Sequence, residues 1–295
     1  MLFSVGANLP WITYGGDFGA NAWRPQGGLG AQGVSLDAFA SLTELRALGV
    51  ETIRWFMFCD GRAGIRFGDD GSPLGLDEHV LHDLGTALQL ASAADVRIVF
   101  TLFDFLFCAP RSHVAGVDTG GHAEVVSDPR KREALLKHVV TPVLEALANH
   151  PAIEAWDIIN EPEWVADVRP SSMTDFIGQA SAVVHATASQ PVTVGLASAR
   201  GLDLVRGAGL DFYQVHWYDK HEREAPLRRD VLEMTLDRPV VLGEFPTRGS
   251  RFTTDEILRI SSQAGYSGAW FWSINGEDEA SDGEAAVEGL RRWLR

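Results

Sequence analysis

Ile153-Glu154-Ala155-Trp156-Asp157-Ile158-Ile159-Asn160-Glu161-Pro162 is a largely apolar stretch that closes on a polar Asn-Glu pair. A run of this length is typical of a strand buried in a parallel sheet. A second apolar run, residues 239–243, closes on Glu244. A glutamate at the end of such a strand can be held rigidly and partly desolvated, which tunes its pKa for proton transfer. The two strand ends therefore predict a catalytic site built on Glu161 and Glu244.

Short apolar runs alternate with helical patterns along the chain, which is typical of βα units on a parallel sheet. Apolar residues recur at helical spacing from Leu135 to Leu147, after a helix start at Asp128-Pro129, and Thr253 with Glu256 predicts a capping box. Eight strands are predicted, at residues 3–7, 51–55, 97–102, 153–159, 192–196, 211–215, 240–243 and 268–272.

Eight βα units in one chain of 295 residues favour an α/β fold with a single (β/α)8 barrel domain over residues 1–295. Long βα loops are predicted on its C-terminal face at 8–36, 56–76 and 103–127, and they favour a closed pocket for a short substrate. A doubly wound open sheet is the alternative. The glycines after the first strand lack both the GxGxxG spacing and the phosphate-loop lysine, so no nucleotide cofactor is expected.

The formal net charge of −15 disfavours phosphate backbones and anionic lipid surfaces as partners. No apolar run approaches the roughly 20 residues that span a bilayer. We therefore expect a cytoplasmic protein, with secretion as the alternative if a signal peptide was removed, and no nucleic acid or membrane partner. The oligomeric state is not predicted.

Two cysteines, Cys59 and Cys108, are too few for a disulfide framework and lack metal-site spacing. Reduced thiols are expected. Because both follow neighbouring predicted strands, a single bridge between two rim loops is the alternative.

The C-terminal ends of the strands form the active site in (β/α)8 barrels. Glu161 ends strand four and Glu244 ends strand seven, so they are expected to face each other across the barrel mouth. Hydrolysis of a glycosidic bond needs one carboxylic acid and one carboxylate on opposite sides of the anomeric carbon. The pair therefore favours a glycosidase. Other residues at strand ends are expected to bind the substrate, and these are Trp11, Arg54, Trp55, Asp104, Asn160, His216, Tyr218 and Trp272.

These motifs resemble clan A glycoside hydrolases, most closely the cellulase-like barrels of glycoside hydrolase family 5, over nearly the whole chain. The resemblance implies that Glu161 is the general acid/base, that Glu244 is the nucleophile and that Asn160 binds the sugar 2-hydroxyl. It also implies supporting roles for Arg54, His216, Tyr218 and Trp272. A retaining mechanism on a β-linked sugar of the glucose or mannose type, without metal or cofactor, follows from the same resemblance.

The chain departs from the family after strand three, where family 5 usually carries a histidine. Here the sequence is Thr101-Leu102-Phe103-Asp104-Phe105, and Asp104 is the candidate substitute. The long first loop also departs from common cellulases, which indicates an unusual subgroup.

Three other functions remain open. A metal-dependent hydrolase would use a cluster in the loop after strand three, comprising His113, Asp118, His122 and Glu124, although their spacing matches no known motif. A carbohydrate-binding barrel that has lost catalysis is the second. The third is a transglycosylase, which uses the same site and differs only in the acceptor.

Overall fold

The computed structural model describes residues 3–31, 33–276 and 278–295. Its strands are β1 Ser4–Asn8, β2 Thr52–Phe56, β3 Ile65–Phe67, β4 Pro73–Leu76, β5 Arg97–Asp104, β6 Ser112–Val114, β7 Val117–Thr119, β8 Ile153–Asn160, β9 Val192–Leu196, β10 Tyr213–His216, β11 Val240–Pro246 and β12 Gly268–Trp272. Eight of them form a closed parallel barrel in the order β1-β12-β11-β10-β9-β8-β5-β2. The predicted (β/α)8 barrel is confirmed.

Helices cover the outside of the barrel and bury their apolar faces against the strands. They are α1 Val34–Ala47, α2 Val80–Ala94, α3 Ala123–Ser127, α4 Pro129–Leu135, α5 Thr141–Leu147, α6 Pro170–Thr187, α7 Leu202–Val205, α8 Thr254–Gln263 and α9 Gly283–Trp293. The carboxylate of Asp128 accepts from the backbone N–H of Arg130 and caps α4, as predicted. The predicted capping box of α8 is also present, because the Glu256 carboxylate accepts from the Thr253 backbone N–H.

The parallel register brings the candidate residues together. Asp104 pairs with Asn160 across β5 and β8, and His216 pairs with Glu244 across β10 and β11. Strands β5 and β11 run further than predicted, to Asp104 and Pro246. Asp104 and Glu244 therefore lie within hydrogen-bonded strands of the barrel rather than just beyond them. Backbone ladders therefore hold the polar residues at the barrel mouth.

Two of the predicted loops contain strands of their own. Antiparallel hairpin β3–β4 lies within residues 56–76, and hairpin β6–β7 lies within residues 103–127. Cys59 and Cys108 are buried, free cysteines, in agreement with the expected reduced thiols. Within the described ranges, no helix is both long and apolar enough to span a membrane. The sequence predicts that an acidic segment near the C-terminus, Glu277, Asp278, Glu279, Asp282 and Glu284, faces solvent, and its first residue lies outside the described residues.

Candidate active site

A buried arginine lies at the centre of the polar residues in the barrel mouth. Arg54 is fully buried and donates from Nη1 to Glu244 Oε1 at 2.6 Å, from Nη2 to Asn160 Oδ1 at 2.8 Å and from Nε to Asp157 Oδ2 at 2.8 Å. Its Nη1 also donates to Asn8 Oδ1 at 3.1 Å. Burying a guanidinium group is tolerated only when its charge and donors are satisfied. Arg54 therefore fixes the positions of one candidate catalytic glutamate and its neighbouring asparagine.

A close approach of the backbone makes room for this arginine. A Cβ atom on Gly195 in β9 would lie 2.5 Å from Arg54 Nη2 and 2.6 Å from Gln214 Nε2. Such contacts would force the buried network apart. Glycine at this position therefore permits the ion network to cross the inside of the barrel.

Glu161 and Glu244 approach each other in this site. One carboxylate oxygen of each, together with a nitrogen of His216, lie within 4.8 Å of one another. His216 Nδ1 is 2.9 Å from Glu161 Oε1 and 3.4 Å from Glu244 Oε2. Carboxyl groups about 5 Å apart are typical of retaining glycosidases, whereas inverting enzymes separate them by roughly 6.5–9.5 Å. The separation fits a double displacement.

The two glutamates have different surroundings. The Glu244 carboxylate receives hydrogen bonds from Arg54 Nη1 and, at 2.9 Å, from the Tyr218 hydroxyl. Glu161 contacts His216 and is partly exposed to the cavity, with 15% of its side chain accessible. Donors on Glu244 stabilise its ionised form. The geometry therefore favours a carboxylate at Glu244 and a proton-exchanging group at Glu161.

Burial is the main influence on the pKa values of these groups. It raises the pKa of Glu244, against the opposing positive charges of His216 and Arg54, and it raises the pKa of Glu161, against those of Lys220 and Arg54. Burial also lowers the pKa of His216 to about 4. Because His216 is therefore neutral near pH 7, Arg54 is the positive charge that opposes the rise in the Glu244 pKa there.

The backbone at Glu161 has an unusual conformation. Its φ of +46° lies in the left-handed region, which a residue with a side chain rarely adopts. The Glu161 backbone N–H donates to the Gly195 carbonyl at 2.6 Å, and a turn of 3₁₀ helix, Pro162–Trp164, follows directly. Strained backbone is often retained where it aims a functional side chain. Here it turns the carboxyl group into the cavity at the end of β8.

Asp104, the candidate substitute for the histidine expected from the resemblance to family 5, lies at the end of β5. Its Oδ2 accepts from Asn160 Nδ2 at 2.7 Å, and its Oδ1 accepts from the Leu106 backbone N–H at 2.8 Å. Asp104 therefore orients the Asn160 amide. Burial raises the pKa of Asp104 to about 7. The two hydrogen bonds oppose this rise, and the negative charges of Glu161 and Glu244 add to it.

We predict that Asp104→Asn removes part of the pH dependence of stability. The unfolded carboxyl group is ionised above pH 5, whereas the folded one stays protonated up to about pH 7, so wild-type stability falls as pH rises through this range. Between pH 5 and pH 8, wild type should therefore lose about 2–3 kcal/mol more of its free energy of unfolding than the variant does. Urea denaturation at both pH values measures this difference.

The matched control is Asp128→Asn, at an exposed helix cap. Its carboxyl group has a lowered pKa through backbone hydrogen bonds with Lys131 and Arg130, so it is ionised throughout this pH range. Its effect should be the same at both pH values. An Asp104→Asn difference that stays constant with pH would contradict the prediction.

A cavity of about 590 Å³ opens above the two glutamates. Among the candidate residues it is lined by Trp11, Asp104, Asn160, Glu161, Tyr218, Glu244 and Trp272. Trp272 lies with its ring centroid 6.3 Å from that of Trp11 and 6.2 Å from that of Phe56, forming an aromatic wall. Aromatic walls with a few placed polar groups are typical of ligand sites.

Several of the predicted substrate-binding residues are buried beneath the cavity or away from it. The prediction that Trp55 contacts substrate is wrong, because its ring is fully buried and its Nε1 donates to Asp17 Oδ2 at 2.8 Å. Arg54 and His216 are also buried and contact the glutamates rather than the cavity. Trp270, which shares a face with Trp272, packs inside the barrel.

The candidate metal ligands in the loop after strand three do not converge. His113 pairs with Asp118 at 2.8 Å, His122 stacks on Phe67, and Glu124 pairs with Lys131. In the part of the chain that the structure describes, Glu161, His216 and Glu244 form the one group of His, Cys, Asp and Glu residues close enough to hold a metal ion. Those three are engaged with each other and with Arg54 and Tyr218 as described above.

Sequence analysis missed several residues of the site, among them Asp157, Asn8 and Lys220. Asp157 is fully buried in β8 and accepts from Arg54, from Thr101 Oγ1 at 3.0 Å and from the Gly195 backbone N–H at 3.0 Å. Asn8 bridges Arg54 to the Gly243 carbonyl, and Lys220 lines the cavity. The signal for Asp157 was its charge within an otherwise apolar strand, since an isolated buried charge needs a partner.

The fold and the paired glutamates are those of an O-glycosyl hydrolase, and the chain resembles the clan A glycoside hydrolases, most closely family 5, as the sequence motifs indicate. The mannan endo-1,4-beta-mannosidase of Mytilus edulis is 26% identical to this chain across 92% of the chain and 83% of that protein. The corresponding enzyme of Cryptopygus antarcticus is 23% identical across 95% of the chain and 82% of that protein. No family model matches the chain.

A solved structure with the same fold is the endo-1,4-beta-mannanase from Eisenia fetida. The two structures superpose with a TM-score of 0.85 at 22% identity, and the match covers all of this chain and 91% of the Eisenia fetida chain. The beta-mannanase structure from Mytilus edulis gives a TM-score of 0.82 at 24% identity, with 100% and 92% covered. These similarities establish the barrel fold over the whole chain.

Proposed function

We propose that this chain is an endo-acting β-1,4-mannan hydrolase that works with retention of configuration. The observation that carries the proposal is the carboxyl pair, Glu161 and Glu244, whose oxygens lie within 4.8 Å in unequal surroundings. The names of the relatives, mannan endo-1,4-beta-mannosidases, support the choice of mannan and of internal cleavage. The aromatic wall of Trp11 and Trp272 is suited to the apolar face of a sugar ring.

In the first displacement, Glu244 acts as the nucleophile. Its carboxylate oxygen bonds to the anomeric carbon while the bond from that carbon to the leaving oxygen breaks. Glu161 gives its proton to the leaving oxygen. Arg54 and Tyr218 hold the Glu244 carboxylate by hydrogen bonds to its two oxygens, which keeps the attacking atom in line.

In the second displacement, Glu161 acts as the base. It takes a proton from water, the water oxygen bonds to the anomeric carbon, and Glu244 leaves as a carboxylate. Asn160, fixed between Arg54 and Asp104, is placed to bind the sugar 2-hydroxyl. Preformed donors of this kind stabilise charge that develops in the transition state.

A non-catalytic carbohydrate-binding barrel is the weaker interpretation. It would not require the strained backbone of Glu161 or the buried ion pair between Arg54 and Glu244. Both features cost free energy of folding, and both position the carboxyl groups that the displacement mechanism uses.

Hydrolysis of a substrate panel tests the proposal. Wild type is assayed with EDTA present on β-1,4-mannan, β-1,4-glucan and β-1,4-xylan, and the anomer released first from mannohexaose is followed by NMR. We expect EDTA-insensitive cleavage of mannan with initial release of the β anomer. Preferred cleavage of another polymer would contradict mannan as the substrate, and initial release of the α anomer would contradict the retaining mechanism.

We predict that Tyr218→Phe lowers kcat by roughly 10-fold to 100-fold while the protein stays folded. The variant loses the hydroxyl that donates to Glu244 Oε2, so the pKa of Glu244 rises further and the acidic limb of the kcat profile moves to higher pH. The control is Tyr213→Phe, which removes a hydroxyl that donates to Asp237 outside the site. Equal pH profiles for the two variants would contradict the assigned role of Tyr218.

A further inference from the structure

Two exposed aromatic rings lie beyond the cavity on the first βα loop. Tyr14 is 44% exposed and Trp23 is 43% exposed, although large aromatic side chains usually bury most of their surface. Exposed apolar patches next to a ligand site often extend that site.

The two rings continue the aromatic wall of the cavity. The Trp11 ring lies 6.3 Å from Trp272 and 4.4 Å from Tyr14, measured between centroids. The Arg62 guanidinium lies 4.2 Å from the Tyr14 ring and 5.4 Å from the Trp23 ring. We call this row, Trp272, Trp11, Tyr14 and Trp23 with Arg62 between the last two, the aromatic track.

The track is held in place by polar contacts. Asp60 accepts from Arg62 Nε at 2.9 Å, and the side chains of both residues are at most 7% exposed. The Trp23 indole N–H donates at 3.0 Å to the Ala115 carbonyl at the tip of hairpin β6–β7. Gly15 has a φ of +61°, and a Cβ there would lie 2.8 Å from Arg62 Nε. The loop is therefore shaped to seat the arginine against the rings.

The root of the loop is also fixed. The buried Asp17 carboxylate accepts from the backbone N–H groups of Ile12 at 2.6 Å and Thr13 at 2.7 Å, the two residues between Trp11 and Tyr14. Rings positioned before binding lose little conformational entropy when a ligand stacks on them.

The position of the track in the barrel gives it a direction. Trp272, at the start of the track, lies on β12, which stands opposite β8 in the strand order of the barrel, and Glu161 directly follows β8. Glu161 protonates the leaving oxygen in the proposed mechanism, so the leaving part of the substrate lies on its side. The track then meets the part of the chain that stays bonded to Glu244.

We propose that Tyr14 and Trp23 form distal sugar-binding subsites on this side, which hold the non-reacting end of a β-1,4-linked mannan chain. This inference rests on the proposed function and extends it from the cavity to the length of the substrate. A surface track of this kind fits an open cleft and argues against the closed pocket that the long rim loops predict.

Chain-length dependence tests the proposal. For Tyr14→Ala and Trp23→Ala, kcat/KM on mannohexaose relative to that on mannotriose should fall by about 10-fold compared with wild type, since one ring contact contributes on the order of one decade in affinity. The loss should appear mainly in KM, because these rings lie away from the reacting atoms. Trp23→Phe, which keeps a ring, should recover most of the ratio.

Phe39→Ala is the matched control, because Phe39 is 37% exposed but lies on α1, away from the cavity. An unchanged hexaose-to-triose ratio in both alanine variants, with wild type active, would overturn the track alone. Wild type that cleaves no mannan oligosaccharide would overturn the proposed function, and the track with it.

Discussion

Replacing Glu244 with Gln is expected to lower kcat on mannan by at least about 10³-fold, because the amide cannot form the glycosyl-enzyme. Glu161→Gln should cause a similar loss on mannan, where the leaving sugar needs a proton. On an aryl β-mannoside with an acidic phenol, the rate of the first displacement should fall much less in Glu161→Gln, since the phenolate leaves without protonation. Steady-state and pre-steady-state kinetics with both substrates measure these differences.

Azide separates the two roles further, because it is a nucleophile that needs no base. In Glu161→Ala it should replace water in the second step and give the β-glycosyl azide. In Glu244→Ala it should attack the substrate directly and give the α-glycosyl azide. Glu154→Gln is the control, since Glu154 lies in β8, the strand that Glu161 follows, but pairs with Arg97 at the opposite end of the barrel. The same azide anomer from both alanine variants would contradict the assignment.

The second large effect is expected from Arg54→Met. This change leaves Asp157 and Glu244 buried without their cation, and breaking a buried ion pair in this way costs about 3–5 kcal/mol. The pKa of Glu244 should rise as well, since the positive charge that opposes its burial is lost. Activity should therefore fall and its acidic limb should move to higher pH, while urea denaturation shows the loss of stability.

Arg46→Met is the matched control for this prediction. Arg46 also forms a 2.7 Å ion pair, with Asp95, but both side chains are exposed, at 38% and 84%. Exposed pairs contribute about 0–1 kcal/mol, so the control should be close to wild type in stability. A comparable loss in the two variants would indicate that burial of the Arg54 network does not have the energetic role inferred here.

Much of the architecture follows from patterns visible in the sequence. Apolar runs alternating with helical faces predict the eight barrel strands, and residues 192–196 and 268–272 agree with the structure at both ends. The predicted strands stop at residues 102 and 243, because the polar Asp104 and Glu244 mark the ends of the two apolar runs. In the barrel, neighbouring strands supply backbone partners that extend both strands past these residues.

The direction of side chains along a strand explains the wrong prediction for Trp55. Neighbouring strand residues point to opposite faces, so Arg54 inside the barrel places Trp55 outside, against the loop held by Asp17. That rule alone excludes Trp55 from the cavity. The ion pair of Arg54 with Asp157 does not follow from this rule, because the sequence offers several acidic residues as possible partners for one arginine. Only the three-dimensional register decides which of them it meets.

Trapping the glycosyl-enzyme tests the central claim most directly. A 2-deoxy-2-fluoro-β-mannosyl fluoride slows both displacements through its electron-withdrawing fluorine, while its good leaving group lets the first one proceed, so the intermediate accumulates. We expect mass spectrometry of the digested protein to find one fluorosugar per chain, on the peptide that contains Glu244, and none on Glu244→Gln. A sugar attached to Glu161 or to any other residue would contradict the account.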